Sequence, residues 1–310
     1  MPDIRMMAFD LDGTLLGRDG HISPSNRAAL QEAHRRGVKL VIASGRGFQA
    51  TRRFAKEAGV PCILATANGA RIDESQDGPL LCERCLNDDV SKIIMQHMYD
   101  SGIFFVSYRK QANYQGNMHT RQPAETAYFA PGVYTEDGVT LEMVEDDERM
   151  RSEGWHNVYK FVAFSTAADP KLEVLAAKLR PLGLSVESSW INNIEVMPPE
   201  GGKGNALDYL AKRYGFTRDQ VMVFGDNFND ESMLRYAGWP VVMENGVTEM
   251  KAIARIIAPH HDEDGVGRVI EEYVLNGEEN SCISFLSTRR SRRTPAISPV
   301  PAPLPAPCCT

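Results

Sequence analysis

The chain has 310 residues, of which 43% are hydrophobic and 24% charged, and its formal net charge is −7. This length allows two domains with cores of their own, and the net charge gives no general attraction to nucleic acid or anionic membranes. Because no apolar run approaches the roughly 20 residues that span a bilayer and six cysteines make no disulfide framework, we expect a cytoplasmic protein.

Strands and helices alternate at the start of the chain. MMAFD is a short apolar run, typical of a buried parallel strand. A helix is expected after Ser23, which can cap it, and before Gly37, where the pattern ends. VKLVIAS predicts a second strand, residues 48–58 a second helix, and CILATA a third strand before the turn at Asn68 and Gly69.

The same alternation returns later in the chain. A helix over residues 203–214 leads to the strand VMVFG, and a helix over residues 231–236 precedes the short strands PVVM and RIIA. A last helix is expected over about residues 266–275. This order predicts an α/β fold with a doubly wound parallel sheet, a Rossmann-like core.

The middle of the chain has a different pattern. An amphipathic helix, the β-rich runs IFFVSY and YKFVAFS, and a further helix predict an α+β cap domain over residues 84–190. The catalytic core then covers residues 1–83 and 191–276. Residues 277–310 are rich in Pro, Ala and Arg, a composition that cannot build a core and predicts a disordered tail.

Two carboxylates, Asp10 and Asp12, end the first predicted strand. Residues two apart on an extended chain point to the same side, so both lie at the carboxyl edge of the sheet, where open α/β folds bind ligands. Gly13 and Thr14 turn the backbone and can donate to an anion. The spacing does not fit a calcium-binding EF-hand loop. A plain surface turn is the alternative, but two carboxylates there are costly without a cation or ligand.

Three further positions carry candidate phosphate-binding groups. Ser44 and Gly45 close the second strand and lead into a helix, where a hydroxyl and helix amides can cradle a phosphate. Alone this signal is weak, because Ser-Gly is also a common cap and turn. Lys203 begins a helix in the run GGKG; such a lysine is usually exposed, but beside a phosphoryl group it would neutralise developing charge.

A second acidic cluster follows the strand VMVFG. It contains Asp226, Asn229 and Asp230 in the run GDNFND. Mg²⁺ binds through one or two carboxylates with waters and substrate oxygens, so Asp10 and Asp226 suffice for a site. The alternative, that these residues only cap a helix, stays open, more for Asp230 than for Asp226.

DLDGT, SGR, GGKG and GDNFND together resemble the four motifs of the haloacid-dehalogenase-like hydrolases. The insertion between the second and third motifs resembles the Cof-type phosphatase subfamily, as do NGARI and HDEDGV. The resemblance covers about residues 4–274. One departure is the run Glu244–Gly246, where the family usually has Asn-Ala.

The resemblance implies a Mg²⁺-dependent phosphatase with an aspartyl-phosphate intermediate. Asp10 would be the nucleophile and Asp12 the general acid and base. The phosphoryl group would be bound by Thr14, Ser44, Gly45, Lys203 and Asn229. The metal would be bound by Asp10, the backbone carbonyl of Asp12, Asp226 and Asp230.

The expected substrate is a small phosphorylated metabolite, either a sugar phosphate or a phosphorylated cofactor. A phosphohexose mutase or phosphotransferase using the same aspartate is one alternative. A non-catalytic protein that binds a phosphorylated metabolite is another. We expect no nucleic-acid or membrane partner, and a monomer or weak homodimer.

Overall fold

The computed structural model describes residues 2–110, 112–123, 132–136, 139–166 and 169–276. The predicted tail, residues 277–310, lies outside the described residues. Within the described ranges, no helix is both long enough and apolar enough to cross a membrane.

The core contains an eight-stranded sheet within the described residues. Its strands are β1 (Met6–Phe9), β2 (Lys39–Ala43), β3 (Ile63–Thr66), β4 (Arg71–Asp73), β5 (Leu80–Glu83), β13 (Val221–Gly225), β14 (Trp239–Met243) and β15 (Ile256–Ala258). The order across the sheet is β15-β14-β13-β1-β2-β3-β4-β5, and the six strands from β15 to β3 run parallel. This part confirms the doubly wound, Rossmann-like prediction.

The last two strands of this sheet depart from the all-parallel expectation. β4 and β5 each pair antiparallel with the preceding strand. The chain reverses after β3 because Ala67, Asn68 and Gly69 all adopt positive φ. That conformation is costly for residues other than glycine, and it makes the turn tight enough for β4 to pair directly with β3.

Helices cover both faces of the core sheet. Their bounds are Pro24–Arg35, Phe48–Ala58, Lys203–Tyr214, Glu231–Tyr236, Thr248–Lys251 and Gly265–Ile270, the last continued by a π-helical segment, Glu271–Leu275. β1 has apolar side chains on both faces: Met7 and Phe9 pack in one cluster, Met6 and Ala8 in the other. Burial on both faces explains why this strand reads as a continuous apolar run.

The cap contains a seven-stranded sheet within the described residues, in the order β11-β12-β10-β6-β7-β9-β8. Its strands are β6 (Phe104–Arg109), β7 (Ala112–Gly116), β8 (Gly132–Glu136), β9 (Val139–Val144), β10 (Val158–Phe164), β11 (Ser185–Glu187) and β12 (Asn193–Met197). The helices Asp88–Ser101, Asp147–Glu153 and Pro170–Leu179 contribute to an apolar cluster with one face of this sheet. The inserted α+β domain is therefore present.

The far boundary of the cap differs from the prediction. β12 (Asn193–Met197) lies between β10 and β11 in the cap sheet, although the sequence placed residues 191–276 in the core. Ile194 and Val196 pack with the cap helices, while Asn193 and Glu195 alternate to the other face. All five residues of β12 are buried, so its polar face is covered as well as its apolar face, and the chain returns to the core only after Met197.

Candidate active site

The predicted site residues meet at one edge of the core sheet. Asp10 follows β1, Ser44 follows β2 and Asp226 follows β13, and these three parallel strands are neighbours. β1 lies where the strand order reverses, with β2 on one side and β13 on the other. Open α/β sheets bind ligands at the carboxyl ends of the strands at such a switch point.

Lys203 is fully buried, as are Thr14 and Asp230 among the predicted residues. Its side chain is 0% exposed, and its Nζ donates to Asp10 Oδ1 at 2.5 Å and to Asp230 Oδ1 at 2.6 Å. A lysine opening a helix is usually exposed, so this burial favours the predicted role. The helix Lys203–Tyr214 begins at the point where Lys203 can reach two strand ends. The structure therefore fixes an ammonium group beside the predicted nucleophile.

Negative charge exceeds positive charge around this lysine. Burial raises the pKa of Asp10 to about 7; Lys203 opposes this increase and Asp230 adds to it. Burial raises the pKa of Asp226 to about 8, with further increases from Asp230 and Asp10. Three carboxylates facing one ammonium leave an excess of negative charge, which a further cation would neutralise.

A divalent metal fits this group of carboxylates. Oxygen atoms of Asp10, Asp226 and Asp230 all lie within 4.8 Å of one another. All three ligand atoms are carboxylate oxygens, the type that Mg²⁺ prefers. The donor set and the excess of negative charge thus agree with the metal expected from the sequence.

The turn after β1 is shaped by its approach to Asp226. Gly13 has φ +79°, and a Cβ atom at this position would lie 2.6 Å from Asp226 Oδ2. Glycine is required here both for the backbone conformation and for the close contact. Thr14, which was predicted to bind phosphate, donates its hydroxyl to Asp226 Oδ1 at 2.9 Å. Its single hydroxyl proton therefore goes to one of the three clustered carboxylates in this conformation.

Asp230 uses both of its oxygens within the protein. Oδ1 accepts from Lys203, and Oδ2 accepts from the backbone N–H of Asp226 at 2.8 Å and of Asn227 at 3.2 Å. The sequence predicted it as a metal ligand, and it does belong to the carboxylate group. These hydrogen bonds give it a second task, which is to hold Lys203 and the loop carrying Asp226.

Ser44, Gly45 and Asn229 line the remaining side. Ser44 is 2% exposed and its Oγ accepts from the backbone N–H of Arg46 at 3.2 Å. A Cβ atom on Gly45 would lie 3.8 Å from Asn229 Nδ2 and 3.0 Å from Asn68 Oδ1. Polar groups from two different loops therefore converge on the backbone of Gly45, as a phosphate cradle needs.

Arg46 is a site residue that the sequence analysis did not single out. Its guanidinium donates to both oxygens of Asp12, Nε to Oδ2 at 2.8 Å and Nη2 to Oδ1 at 2.6 Å. The side chain of Asp12 thus points to Arg46, outside the three-carboxylate group. The available signal was the SGR run itself, whose third residue follows a strand end.

A second unpredicted contact supports the turn after β1. Asn245 Nδ2 donates to Gly13 O at 2.7 Å, and its Oδ1 accepts from the backbone N–H of His261 at 3.1 Å. His261 Nδ1 in turn lies 2.8 Å from Leu16 O. The run Glu244–Gly246, which departs from the family pattern, and the family-like run HDEDGV therefore both support the loop that carries Asp12.

Comparison with known sequences agrees with the geometry. The family model described as haloacid dehalogenase-like hydrolase matches residues 7–270. Among curated relatives, the 5-amino-6-(5-phospho-D-ribitylamino)uracil phosphatase YcsE of Bacillus subtilis is 31% identical over 273 residues, covering 88% of this chain and 97% of its own. The phosphatase of the same description, YwtE of Bacillus subtilis, is 29% identical over 289 residues, covering 89% and 99%.

Solved structures show the same fold. A haloacid dehalogenase-like hydrolase from B. subtilis superposes with a TM-score of 0.76 at 23% identity, covering 87% of this chain and 100% of that chain. One from Bacteroides thetaiotaomicron gives a TM-score of 0.70 at 25% identity, covering 87% and 99%. The covered 87% of the chain is longer than the core or the cap alone, so the agreement extends over both.

Proposed function

The chain belongs to the haloacid dehalogenase-like hydrolase family, and on this basis we propose that it is a Mg²⁺-dependent phosphatase for a small phosphorylated metabolite. The observation that carries the proposal is the buried pairing of Asp10 with Lys203 at 2.5 Å, at the end of the central strand. A carboxylate nucleophile needs a fixed cation beside it when it attacks an anionic ester.

In the first step, a carboxylate oxygen of Asp10 attacks phosphorus and the bond between phosphorus and the ester oxygen breaks. The product is a phosphorylated aspartate, and the leaving alcohol takes one proton. Lys203, with its ammonium already held at the carboxylate, stabilises charge on the phosphoryl oxygens. The groups around Gly45, including Ser44 and Asn229, are proposed to bind those oxygens, with Thr14 held next to them.

Asp12 is proposed to supply that proton and later to take one from the attacking water. Two nitrogens of Arg46 occupy both oxygens of Asp12, so the pair has to separate before Asp12 can exchange a proton with the substrate. The phosphate ester, which is also an anion, gives Arg46 an alternative partner. Substrate binding would thus free the acid at the moment it is needed.

The metal is proposed to be held by Asp10, Asp226 and the backbone carbonyl of Asp12, with Asp230 in support. When bound, Mg²⁺ neutralises carboxylate and phosphoryl charge, which allows the anionic nucleophile to approach the anionic ester. Thr14 orients Asp226 for this purpose through its hydroxyl. Asp230 keeps Lys203 and the Asp226 loop in place.

The two Bacillus subtilis relatives, whose names specify a phosphorylated ribitylamino-uracil, support a small-molecule ester as the substrate. The HMP-PP phosphatase of Cronobacter sakazakii, 29% identical over 250 residues with 80% of this chain and 87% of its own covered, supports the same class. Neither substrate is transferred to this chain by name. A cytoplasmic location and a monomeric or weakly dimeric state remain predictions from the sequence.

The proposal is tested by incubating the purified chain with a panel of phosphorylated metabolites. Release of inorganic phosphate is expected with Mg²⁺ and is expected to stop when the protein is stripped of metal and kept in excess chelator. An isomerised phosphate ester without free phosphate would instead identify a mutase. Binding without any turnover across the panel would identify a sensor.

The acid and base role of Asp12 has its own test, the variant Asp12→Asn. An aryl phosphate can depart without a proton, so the variant is expected to release a burst of aryl alcohol and then accumulate phosphoprotein. An alkyl or sugar phosphate is expected to give no burst. Rapid-quench kinetics measures both, and equal residual rates without phosphoprotein would contradict the assignment.

A further inference from the structure

Two glutamates of the cap lie directly opposite each other in a position where like charges are unfavourable. Glu187 on β11 and Glu195 on β12 form a cross-strand pair. Like charges in such pairs destabilise a sheet, and burial increases the penalty. A pair of this kind is expected where the fold keeps both carboxylates for a purpose other than stability.

Glu195 is compensated by three donors. Its Oε2 accepts from Lys160 Nζ at 2.5 Å and from Asn68 Nδ2 at 2.6 Å, and its Oε1 accepts from Ser189 Oγ at 2.7 Å. Burial alone would raise the pKa of Glu195, but Lys160 and these hydrogen bonds lower it overall. This glutamate is therefore a satisfied anion that holds Lys160 and Asn68 in fixed positions.

Glu187 is not compensated in this way. Its Oε1 accepts from Ser185 Oγ at 3.2 Å, but no donor among the described residues reaches its buried Oε2. Asn68 Oδ1, on a side chain that is 0% exposed, likewise has no donor among the described residues. Two buried acceptors are thus left open, and each unpaired buried acceptor destabilises the folded protein.

The two residues with open acceptors, Asn68 and Glu187, both border the predicted phosphoryl site. A Cβ atom on Gly45 would lie 3.0 Å from Asn68 Oδ1 and 3.5 Å from Lys160 Nζ. A Cβ atom on Gly202, the residue before Lys203, would lie 3.0 Å from Glu187 Oε1. The cluster therefore covers the two core loops that flank the predicted phosphate site, on the side from which the cap approaches.

We propose that Glu187 and Asn68 are specificity-determining residues that accept hydrogen bonds from hydroxyl groups on the leaving group, beside the donor Lys160. The inference rests on the proposed phosphatase function, since it assigns the other half of the same substrate. A hydroxyl both donates and accepts, so neighbouring hydroxyls match a site that offers two open acceptors and one ammonium. A leaving group without donors would bury both acceptors unpaired, and sites of this kind reject such analogues strongly.

Binding can be measured without turnover in an Asp10→Asn background with Mg²⁺ present. The probes are ribitol 5-phosphate and n-pentyl phosphate, which share a chain length and differ in their hydroxyls. Titration calorimetry is expected to show ribitol 5-phosphate binding at least about tenfold more tightly, the effect of one hydrogen bond to a charged group. Adding Glu187→Leu is expected to remove most of this preference.

Two further variants complete the experiment. Glu187→Gln keeps an acceptor and is expected to keep part of the preference for ribitol 5-phosphate. If the role of Glu187 were purely structural, Glu187→Gln would behave like Glu187→Leu. Glu173→Leu changes an exposed glutamate on a cap helix and is expected to leave the preference intact. The inference would be overturned by equal affinity for the two probes, by no binding of either probe, or by a preference that Glu187→Leu leaves unchanged. If the wild-type chain released no phosphate, the phosphatase proposal would be overturned instead. The two results can be told apart because the affinities are measured without turnover.

Discussion

The core and the cap treat buried charge in opposite ways. In the core, Lys203 pairs with Asp10 and Asp230, and Asp230 also accepts from two backbone amides. In the cap, Glu187 faces Glu195 across two strands and keeps one oxygen without a donor among the described residues. The core residues are thus positioned before any substrate arrives, while the cap leaves hydrogen bonds unmade.

This difference agrees with what each region is proposed to recognise. A phosphoryl group has the same charge and shape in every substrate, so its binding groups can be fixed by the ends of rigid strands and one helix. The leaving group varies between relatives of one fold, and open acceptors select it through the penalty for leaving them unpaired. Changes in the core should therefore affect all substrates, and changes in the cap should affect the ranking of substrates.

Asp10→Asn should give the largest effect and test the core side of this comparison. An amide cannot form the phosphoenzyme, so phosphate release from every ester is expected to fall by about 10⁴-fold or more, as when other enzymes lose their nucleophile. The measurement is phosphate release across a substrate panel, with circular dichroism to verify the fold. Unequal losses between substrates, with some esters still hydrolysed, would show that Asp10 is not the common nucleophile.

Lys203→Met should give the next largest effect, this time on stability. The variant leaves Asp10 and Asp230 buried without their ammonium, and breaking a buried ion pair from one side costs about 3–5 kcal/mol. Urea unfolding of metal-free protein at about pH 8 measures the loss, since Asp10, whose pKa is raised to about 7, is mostly ionised there. Adding Asp230→Asn to Lys203→Met is expected to restore part of the lost stability.

The matched control lies on the same helix. Lys212 is 76% exposed and pairs with Asp208 at 2.5 Å, so Lys212→Met is expected to change the free energy of unfolding by at most about 0.5 kcal/mol. In the cap, Lys160→Met is expected to cost less than Lys203→Met, because Asn68 and Ser189 still donate to Glu195. Equal losses for the two buried lysines would weaken the contrast between core and cap.

The sequence predicted the core side of this contrast much better than the cap side. Asp10, Ser44 and Asp226 each follow an apolar run that is buried on both faces, so strand ends could be located and their meeting at one edge inferred. The burial of Lys203 was not visible locally, because its partners lie 193 and 27 positions away. It became predictable only through the order of the motifs.

The cap cluster carried no comparable signal. Lys160 and Glu195 are 35 positions apart, and Asn68 and Glu195 are 127 apart. Their contacts depend on the register of β12 in the cap sheet, a strand that the sequence assigned to the core. Side chains alternate between the two faces of a strand, so a shift by one residue moves every side chain to the other face, and a misplaced strand hides its polar residues as well. The contact of Arg46 was not predicted for a simpler reason. Asp12 was interpreted only as a catalytic residue and not as the partner in an ion pair.

The smallest predicted effect concerns the pH dependence of stability in the cap. Burial, followed by the nearby charge of Glu195, raises the pKa of Glu187 from 4.5 to about 7. Between these values the folded protein binds more protons than the unfolded chain, so stability falls as pH rises from about 4.5 to about 7. Glu187→Gln cannot ionise, and it is expected to lose this part of the slope, on the order of 2 kcal/mol over that interval.

Urea unfolding of the wild type and Glu187→Gln at about pH 5 and pH 8 measures this difference, and contributions from Asp10 and Asp226 cancel because both proteins contain them. Glu173 provides a control of opposite sign, because hydrogen bonding to Arg180 lowers its pKa. At about pH 8, Glu173→Gln is therefore expected to be slightly less stable than the wild type, whereas Glu187→Gln is expected to be more stable. If Glu187→Gln kept the wild-type slope, Glu187 would be ionised throughout this range, and the contrast between the cap and the ion pairs of Lys203 in the core would be lost.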